Sequence, residues 1–447
     1  MKPMTYKLMN LLIVSMLSAL LITFTACEES IGIEINPVDN LPDITGFPIV
    51  GTKQNTSFDN TTTISLRVSG EDFYGQNANY PGNEPYYVDN GDGTVTDMIS
   101  GLMWQNSFDH NGDGTVDYDD KLTYDEILAI ADTVSTGGHD DWRVPSIKEQ
   151  YSLIMFSGRD ISGFEGSSTD GLIPFINTDF FEYAYGDTDA GERLIDVQCA
   201  STNEYVSLEV ERTVFGVNFA DGRIKGYGMQ MMGQEKAFNY LMVRGNASYG
   251  INEFIDNGDG TITDHATELM WMEEDNTEGL LWKNALSYAE NMIYAGYSDW
   301  RLPDAKELQS IVDYTRSPAT SGTAAIDPLF SCTQISNEAG EDDYPWYWSS
   351  TTHGNWTEGN EGAWGAYVSF GRCMGHLSEM PDGPGGDLPP MASASSNEEI
   401  NWVDVHGAGA QRSDPKAGDP SEYSEGHGPQ GDAVRIYNYV RLVRDLN

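Results

Sequence analysis

A tandem repeat constrains the fold of this chain more than any other feature of its sequence. The stretch Tyr86–Gln105 returns at Glu253–Met272, with eleven of twenty positions identical. A second block, residues 137–154, returns at residues 295–312, with eight of eighteen positions identical. Because both blocks recur in the same order, the sequence predicts a duplicated domain rather than a solenoid of short repeats.

Each copy opens with a hairpin pattern, in which a turn rich in Gly and Asn precedes a β-branched run ending in Leu-Met-Trp. Glycine and asparagine supply the positive φ values that such turns require. We therefore expect a first domain over residues 70–246 and a second over residues 247–447. A tether over residues 27–69 is predicted to precede them, after a signal peptide over residues 1–26.

The first 27 residues have the pattern of an export signal. Two lysines precede the apolar run Leu8–Phe24, and small residues lead into Cys27. This resembles a bacterial lipoprotein signal, which implies cleavage before Cys27, a lipid on its sulfur and a place at the outer membrane or cell surface. A plain signal peptide or an uncleaved anchor is the alternative. No other stretch approaches membrane-spanning length.

The charge balance excludes some partners. Lys plus Arg number 24 and Asp plus Glu number 70, which gives a formal net charge of −46. Such a field repels nucleic acid and anionic lipid head groups and attracts divalent cations. Solubility in a salty medium is an equally good reason for the charge.

An insertion after Trp104, absent from the second copy, has the spacing of an EF-hand-type calcium loop. Gly114 stands at the sixth position, for the sharp turn, and Asp120 replaces the usual Glu at the twelfth. A capping box, Thr123 with Glu126, predicts a helix leaving the loop. We expect half an EF-hand that stabilises the fold with calcium, or otherwise an acidic turn without metal. The predicted ligands are Asp109, Asn111, Asp113, Thr115 (through its carbonyl), Asp117 and Asp120.

Two further Asp-rich turns, residues 89–97 and 256–264, have carboxylates at positions 1, 4 and 9. This spacing does not fit the twelve-residue loop. Hairpin turns held by hydrogen bonds from Asp side chains to the backbone are predicted in preference to metal sites.

The second repeated block predicts a structural role for its most distinctive residues. A Trp-Arg pair is followed by Pro and then by an N-cap residue with Glu three positions later. The tryptophans are predicted to be core residues, and each arginine is predicted to pair with a carboxylate of its own domain. These residues are Trp142, Arg143, Ser146 and Glu149 in the first copy, and Trp300, Arg301, Asp304 and Glu307 in the second.

Three cysteines follow Cys27. Cys332 and Cys373 lie in the same copy and are the one pair for which we predict a disulfide, with two buried free thiols as the alternative. Cys199 aligns with Trp348 of the second copy, which indicates a buried apolar position rather than a nucleophile.

The second copy carries a long Gly-, Pro- and Ser-rich excursion over residues 375–432. Loops of this length are usually functional or disordered. Aromatic and polar side chains there could contact a glycan or an extracellular protein, since aromatic rings stack on sugar faces. The predicted contact residues are Trp402, His406, Arg412 and Tyr423. Histidines in this region lack the mutual spacing of metal ligands.

The order of these motifs, closing with Tyr347–Thr351 and a terminal Val-Arg, resembles the C-terminal domain of a Legionella collagen-like adhesin. The resemblance covers residues 73–444 as two copies. It implies an α+β fold, made of two tandem C-type-lectin-like domains with small twisted antiparallel sheets and two helices each. The named adhesin is associated with sulfated polysaccharides, which the acidic charge of this chain would repel.

Three functional hypotheses follow. We favour a calcium-stabilised, surface-anchored binding or adhesion lipoprotein, anchored to the membrane through Cys27 and without nucleic-acid binding. An enzyme related to the formylglycine-generating, sulfatase-modifying oxidases is the second, because the implied fold is similar to theirs. That chemistry uses closely placed cysteines, and no catalytic triad stands out in the sequence. A structural envelope protein is the third.

Overall fold

The computed structural model describes residues 41–42, 44–206, 212–231, 234–376, 402–428 and 430–446. Cys27 and the signal sequence lie outside this part of the chain, so lipid anchoring stays a prediction. Residues 377–401, the first part of the long excursion, also lie outside it. Leu41–Asn447 belongs to one compact unit.

The described residues form few helices and many short strands, which confirms the predicted α+β class. The α-helices are α1 (Tyr124–Ile130), α2 (Ile147–Tyr151), α3 (Trp282–Glu290) and α4 (Ala305–Ser310). Short 3₁₀ turns cover Asn77–Asn79, Tyr118–Asp120, Ala131–Thr133, Thr136–Gly138 and Pro420–Tyr423.

The strands are given below in chain order, first those up to the end of the first copy and then those of the second copy. The first series is β1 (Ser57–Phe58), β2 (Thr63–Ile64), β3 (Tyr87–Asp89), β4 (Thr94–Asp97), β5 (Leu102–Gln105), β6 (Leu122–Thr123), β7 (Gln198–Glu204), β8 (Thr213–Asn218), β9 (Arg223–Gly228), β10 (Gln230–Met231), β11 (Gln234–Glu235), β12 (Ala237–Phe238) and β13 (Val243–Gly245). The second is β14 (Phe254–Asp256), β15 (Thr261–Asp264), β16 (Leu269–Met272), β17 (Ile335–Ser336), β18 (Asp342–Asp343), β19 (Trp346–Thr352), β20 (Trp364–Ser369), β21 (Met374–His376), β22 (Trp402–Asp404), β23 (Gln411–Pro415) and β24 (Val443–Asp445).

Each predicted hairpin forms the centre of a four-stranded antiparallel sheet. In the first copy the order is β13-β5-β4-β3, and in the second it is β24-β16-β15-β14. The register pairs Val95 with Trp104 and Ile262 with Trp271. The terminal Val-Arg strand of each copy completes the sheet beside the Leu-Met-Trp strand. The two copies therefore repeat the same local topology.

A six-stranded sheet joins the copies. Its order is β19-β20-β23-β9-β8-β7, so three strands of the second copy are followed by three strands of the first. At the junction β23 pairs antiparallel with β9 through Gln411 and Ile224. The backbone N–H of Gly226 also donates to the carbonyl of His406 at 2.9 Å. A sheet that crosses the repeat boundary makes the pair of copies one hydrogen-bonded body.

The repeated helices contact each other across this boundary in a reciprocal way. Lys148 Nζ donates to the carbonyl of Ser310 at 2.7 Å, and Lys306 Nζ donates to the carbonyl of Ser152 at 2.8 Å. These lysines and serines occupy matching positions of the repeated block. The arrangement is a pseudo-twofold contact, since each copy supplies the donor for one bond and the acceptor for the other.

The predicted capping boxes form in all three places. Thr123 with Glu126, Ser146 with Glu149, and Asp304 with Glu307 each satisfy backbone donors at the start of a helix. These helices are short and mostly buried on one side, so the caps supply the hydrogen bonds that their free N–H groups need.

The core contains the repeated tryptophans, as predicted. Trp104 and Trp271 are fully buried, and Trp142 and Trp300 are nearly so. Part of the predicted tether also packs into this core: the side chains of Phe47, Val50 and Phe58 are buried. The segment from Phe47 to Phe58 therefore belongs to the folded body and is not a free linker. In the part of the chain that is described, no helix has the length and apolar character to cross a membrane.

Candidate functional site

The predicted calcium loop lies between β5 and α1, and its side chains bond to the backbone of the loop itself. The two carboxylate oxygens of Asp109 accept from the N–H groups of Gly112 and Gly114, at 2.7 and 2.9 Å. Asn111 accepts from Asp113 N, and Asp113 accepts from Thr115 N, both at 2.9 Å. The loop is thereby folded into successive Asx turns.

Asp120, at the twelfth position of the loop, is buried. Its carboxylate accepts from the backbone N–H groups of His110, Asn111 and Asp117 at 2.7–3.0 Å. The imidazole of His110 stacks on Tyr240 with ring centroids 3.8 Å apart, which fixes the loop to the core. Burial lowers the pKa of this histidine. Within the described ranges, no group of three or more His, Cys, Asp or Glu side chains is arranged to hold a metal ion.

The fit of calcium to this loop rests on its donor set. Carboxylate, amide and carbonyl oxygens are the ligands that calcium prefers, and the loop supplies them at the required positions. Asp120 points to the loop backbone, so a bound ion would draw its carboxylate away from N–H groups. Thr115 Oγ1 lies 3.1 Å from Asp117 Oδ2, which brings the seventh and ninth positions together.

The other two Asp-rich turns are hairpin turns held by Asx hydrogen bonds. Asp89 accepts from Gly91 N and Asp92 from Thr94 N in the first copy. Asp256 and Asp259 repeat these bonds to Gly258 and Thr261 in the second. Asp97 and Asp264, at the end of each turn, are fully buried and accept local backbone bonds.

The prediction of a ligand-contact surface on the excursion is wrong for two of its four residues. His406 and Arg412 are buried, at 1% and 8% exposure, and Arg412 lies on β23 inside the six-stranded sheet. Trp402 is partly exposed on β22 and lies beside His376, with ring centroids 5.1 Å apart. Tyr423 is partly exposed next to His427. The four residues therefore do not form one exposed face.

The excursion is also not a structureless loop where it is described, because it contributes β22 and β23. Its buried residues form a charged cluster. Arg412 Nη1 lies 2.6 Å from His406 Nε2, and Arg412 Nη2 contacts the carboxylate of Asp432. Burial, followed by the charge of Arg412, lowers the pKa of His406 to about 4. Although burial opposes it, Arg412 and His406 hold the pKa of Asp432 below its usual range.

A second buried cluster lies on the first-copy side of the same junction. Arg223 donates to Asp160 at 2.7 Å, to Ser162 at 2.9 Å and to Ser413 of the other copy at 3.2 Å. His353 of the second copy lies 2.6 Å from the carbonyl of Asp221. Sequence reasoning missed this cluster, because its members come from different segments and show no periodicity. Lys148 and Lys306 did carry a signal, since they are identical in the two repeated blocks.

The arginines of the repeated block pair within their copies, as predicted. Arg143 binds Glu149 at 2.5 Å, and Arg301 binds Glu307 through two bonds of 2.6 and 2.7 Å. Arg301 also binds Asp445 at 2.6 Å, a partner that the first copy replaces with Gly245.

The predicted disulfide does not form. Cys199, Cys332 and Cys373 are all free thiols. The Cys373 thiol is buried 3.8 Å from the hydroxyl of Tyr367, whereas the sulfur of Cys332 lies 3.4 Å from Arg441 Nη2. Burial raises the pKa of Cys199 and of Cys373. Cys199 is buried, as predicted, but its alignment to Trp348 is wrong by one residue. Cys199 and Tyr347 make equivalent parallel bridges, to Asn239 and Tyr439, so Cys199 takes the place of Tyr347.

Comparison with known proteins identifies the repeated unit. The profile of the Lcl C-terminal domain matches residues 93–244 and 260–380, which together make up more than half of the chain. No curated protein and no solved structure matches the chain. Each matched segment lies within one of the two copies, and the second ends before β23. The chain therefore belongs to the Lcl C-terminal domain family, with two tandem copies of the domain.

Proposed function

We propose that this protein is a surface-anchored bacterial lipoprotein whose folded body acts as a binding or adhesion module for a glycan or an extracellular protein. The observation that carries the proposal is membership of an adhesin-like domain family, which points to a protein of the surface and adhesion type. Two copies in one chain, joined by a shared sheet, provide a rigid body on which binding loops can be held.

A C-type-lectin-like arrangement is part of this proposal. Small twisted antiparallel sheets with few helices are compatible with it, and in such folds long connections carry binding. The excursion of the second copy supports the proposal through its partly exposed Trp402 and Tyr423, while its buried residues serve the sheet.

The net charge of the protein limits the kinds of ligand that it can bind. With a formal charge of −46, the protein repels polyanions, so nucleic acids and sulfated polysaccharides are poor partners. A neutral glycan pays no such electrostatic penalty, and a basic protein surface would be attracted. We therefore place neutral glycans and extracellular proteins ahead of anionic polymers.

Calcium is proposed as a structural ion in the loop Asp109–Asp120. It would be held by the six oxygen-bearing positions of the loop, and it would neutralise carboxylates that are crowded there. The lipid anchor at Cys27 is proposed from the signal sequence, and it would hold the folded body at the outer membrane or cell surface.

An oxidase of the sulfatase-modifying kind gains no support from the cysteines. That chemistry needs closely placed thiols, whereas Cys373 is buried beside Tyr367 and Cys332 lies beside Arg441. The family is adhesin-like rather than a known enzyme family.

The test is binding of the soluble fragment, residues 28–447, to a broad panel of neutral and acidic glycans, in millimolar calcium and in chelator. Saturable binding to neutral glycans supports the proposal, and its loss in chelator adds that calcium supports the contact surface. A blank panel in both conditions, together with no capture of basic extracellular proteins, contradicts it.

A further inference from the structure

A cleft lies at the boundary between the copies and is built from both. Lys148 and Asn203 of the first copy face Asp313 and Asp327 of the second, and the segment Tyr249–Phe254 that connects the copies forms another wall. Its volume is about 350 Å³. Pockets for small molecules begin at about 300 Å³, so this cleft has room for one sugar residue and part of a second. We call it the interface cleft.

A second cleft, which we call the twin cleft, shares two features with the first: an N-cap residue of the repeated block, Asp304 in place of Ser146, and the segment that precedes a repeated hairpin. It lies beside Arg301, Asp304 and Glu307 of the second copy and the segment Tyr80–Asn83 that precedes the first hairpin, with a volume of about 490 Å³. There the guanidinium of Arg301 forms ion pairs with Glu307 and Asp445. The charge of this arginine is therefore neutralised within the protein, and the twin cleft serves as a control.

The interface cleft differs because its polar groups keep bonding capacity. Lys148 Nζ donates to Asn252 Oδ1 and to the carbonyl of Ser310, and no carboxylate of the described residues forms an ion pair with it. Asp313 uses one carboxylate oxygen for Thr315, and Asp327 uses one for Leu329 N. Among the described groups, nothing bonds to the second oxygen of either carboxylate.

Asn203 adds a hydrogen-bond donor to the polar groups of the interface cleft. Its Oδ1 accepts from Ile147 N at 2.8 Å, which fixes the amide and leaves the NH₂ group as a donor without a partner in the described part of the chain. Apolar surface lies next to these groups, since Ile251 is 64% exposed and Phe254 is partly exposed. The cleft thus combines acceptors, donors and an apolar edge within one small volume.

The donors, acceptors and apolar edge of the interface cleft together favour a ligand that carries hydroxyl groups. Two carboxylates, in a protein of net charge −46, disfavour an anion. A bound metal ion is disfavoured because the cleft supplies only two carboxylates, and no group of three or more His, Cys, Asp or Glu among the described residues is arranged to hold a metal. Hydroxyl groups both donate and accept, so vicinal hydroxyls can donate to the carboxylates and accept from the amide and the ammonium. The C–H face of a sugar ring can pack on the apolar edge.

We propose that the interface cleft binds a neutral sugar residue, with Asp313, Asp327 and Asn203 bonding its hydroxyls and Ile251 and Phe254 contacting its ring. The proposal rests on the proposed function, and it locates that function at the boundary of the two copies, away from the excursion. The site requires the duplicated domain, because neither copy alone contains the cleft.

The experiment uses residues 28–447 and, as probes, the methyl glycosides of glucose, galactose, mannose and N-acetylglucosamine in ligand-observed saturation-transfer NMR. Asp313→Asn keeps the turn to Thr315 but weakens an acceptor, and Thr315→Trp fills the cleft from an exposed position. Glu268→Gln in the twin cleft is the matched control. Near-ultraviolet circular dichroism verifies that each variant is folded.

We expect at least one glycoside to bind the wild type saturably, tenfold or more weaker binding by Asp313→Asn, loss of the signal in Thr315→Trp, and no more than a twofold change in Glu268→Gln. Binding that survives in folded Thr315→Trp overturns the assignment of the cleft. Absence of binding to all four glycosides, when the glycan panel or a protein ligand does bind, overturns the cleft proposal alone. Failure of both experiments overturns the proposed function as well.

Discussion

The two copies are the same where the motifs repeat and differ where the chain inserts. Both bury a Trp beside an Arg–Glu pair, and both close with an arginine bound to an aspartate, Arg244 with Asp141 and Arg444 with Asp299. The first copy adds the loop Asp109–Asp120. The second adds the excursion, whose residues before β23 separate that strand from β20, whereas a tight turn connects β8 to β9.

Most of the repeated residues form the local structure of each copy, and inserted residues supply further contacts between the copies. The repeated residues discussed above serve a core, a turn, a cap or an ion pair, except for Lys148 and Lys306, which bond across the boundary. In contrast, the excursion supplies the strand that meets β9, and non-repeated residues build the charged clusters at the junction.

The first prediction concerns a variant that disrupts the junction between β9 and β23. Arg223→Met leaves Asp160 and Asp221 buried without the guanidinium, so we expect a loss of about 3–5 kcal/mol in the free energy of unfolding. Denaturant titration at neutral pH measures it. Arg212→Met is the matched control, because Arg212 is 49% exposed in its pairs with Asp125 and Glu204, and we expect it to cost about 1 kcal/mol or less. Equal effects would contradict a structural role for the junction.

The second prediction concerns the reciprocal lysines. Burial lowers the pKa of Lys148 to about 8. Above pH 8 the folded state has lost a proton that the unfolded state still binds, so the wild-type stability rises with pH from about 8 to 10. Lys148→Met should reduce this rise by on the order of 2–3 kcal/mol. Lys283→Met, at a partly exposed position of α3 that pairs with Asp72, should keep this rise. An unchanged slope in Lys148→Met would refute the buried contact.

Before the structure was known, the sequence predicted the parts that depend on local chemistry. The hairpins, the capping boxes, the buried tryptophans and the Arg–Glu pairs follow from residues within a few positions of each other. Strand β23 could not be predicted from the sequence, since Gln411–Pro415 shows no alternation of apolar and polar residues. Burial of His406 and Arg412 depends on Asp432 and on strands of the other copy, which no local pattern encodes.

The third prediction uses the insertion that distinguishes the first copy. The double variant Asp109→Asn, Asp113→Asn should lose about 0.4–1.4 kcal/mol of stability at about 1 mM calcium, given a dissociation constant on the order of 10⁻⁴ to 10⁻³ M. In chelator it should match the wild type. Asp256→Asn in the turn of the second copy is the control and should show no calcium dependence. A calcium-independent melting temperature in the wild type would exclude the ion.

The fourth prediction has the smallest effect. Because the cysteines are free, reductant should leave the melting temperature of residues 28–447 unchanged. A thiol reagent should label partly exposed Cys332 in the native state and reach Cys199 and Cys373 only after unfolding. An intact mass lower by two hydrogens than that of the fully reduced chain would contradict this prediction and favour the Cys332–Cys373 disulfide.

We infer that the two copies form one cooperative body, held together by the sheet junction and the reciprocal lysines. Differential scanning calorimetry of residues 28–447 measures this cooperativity. We expect one transition, with the calorimetric enthalpy equal to the van't Hoff enthalpy. Two separable transitions, of which Arg223→Met shifts only one, would contradict it.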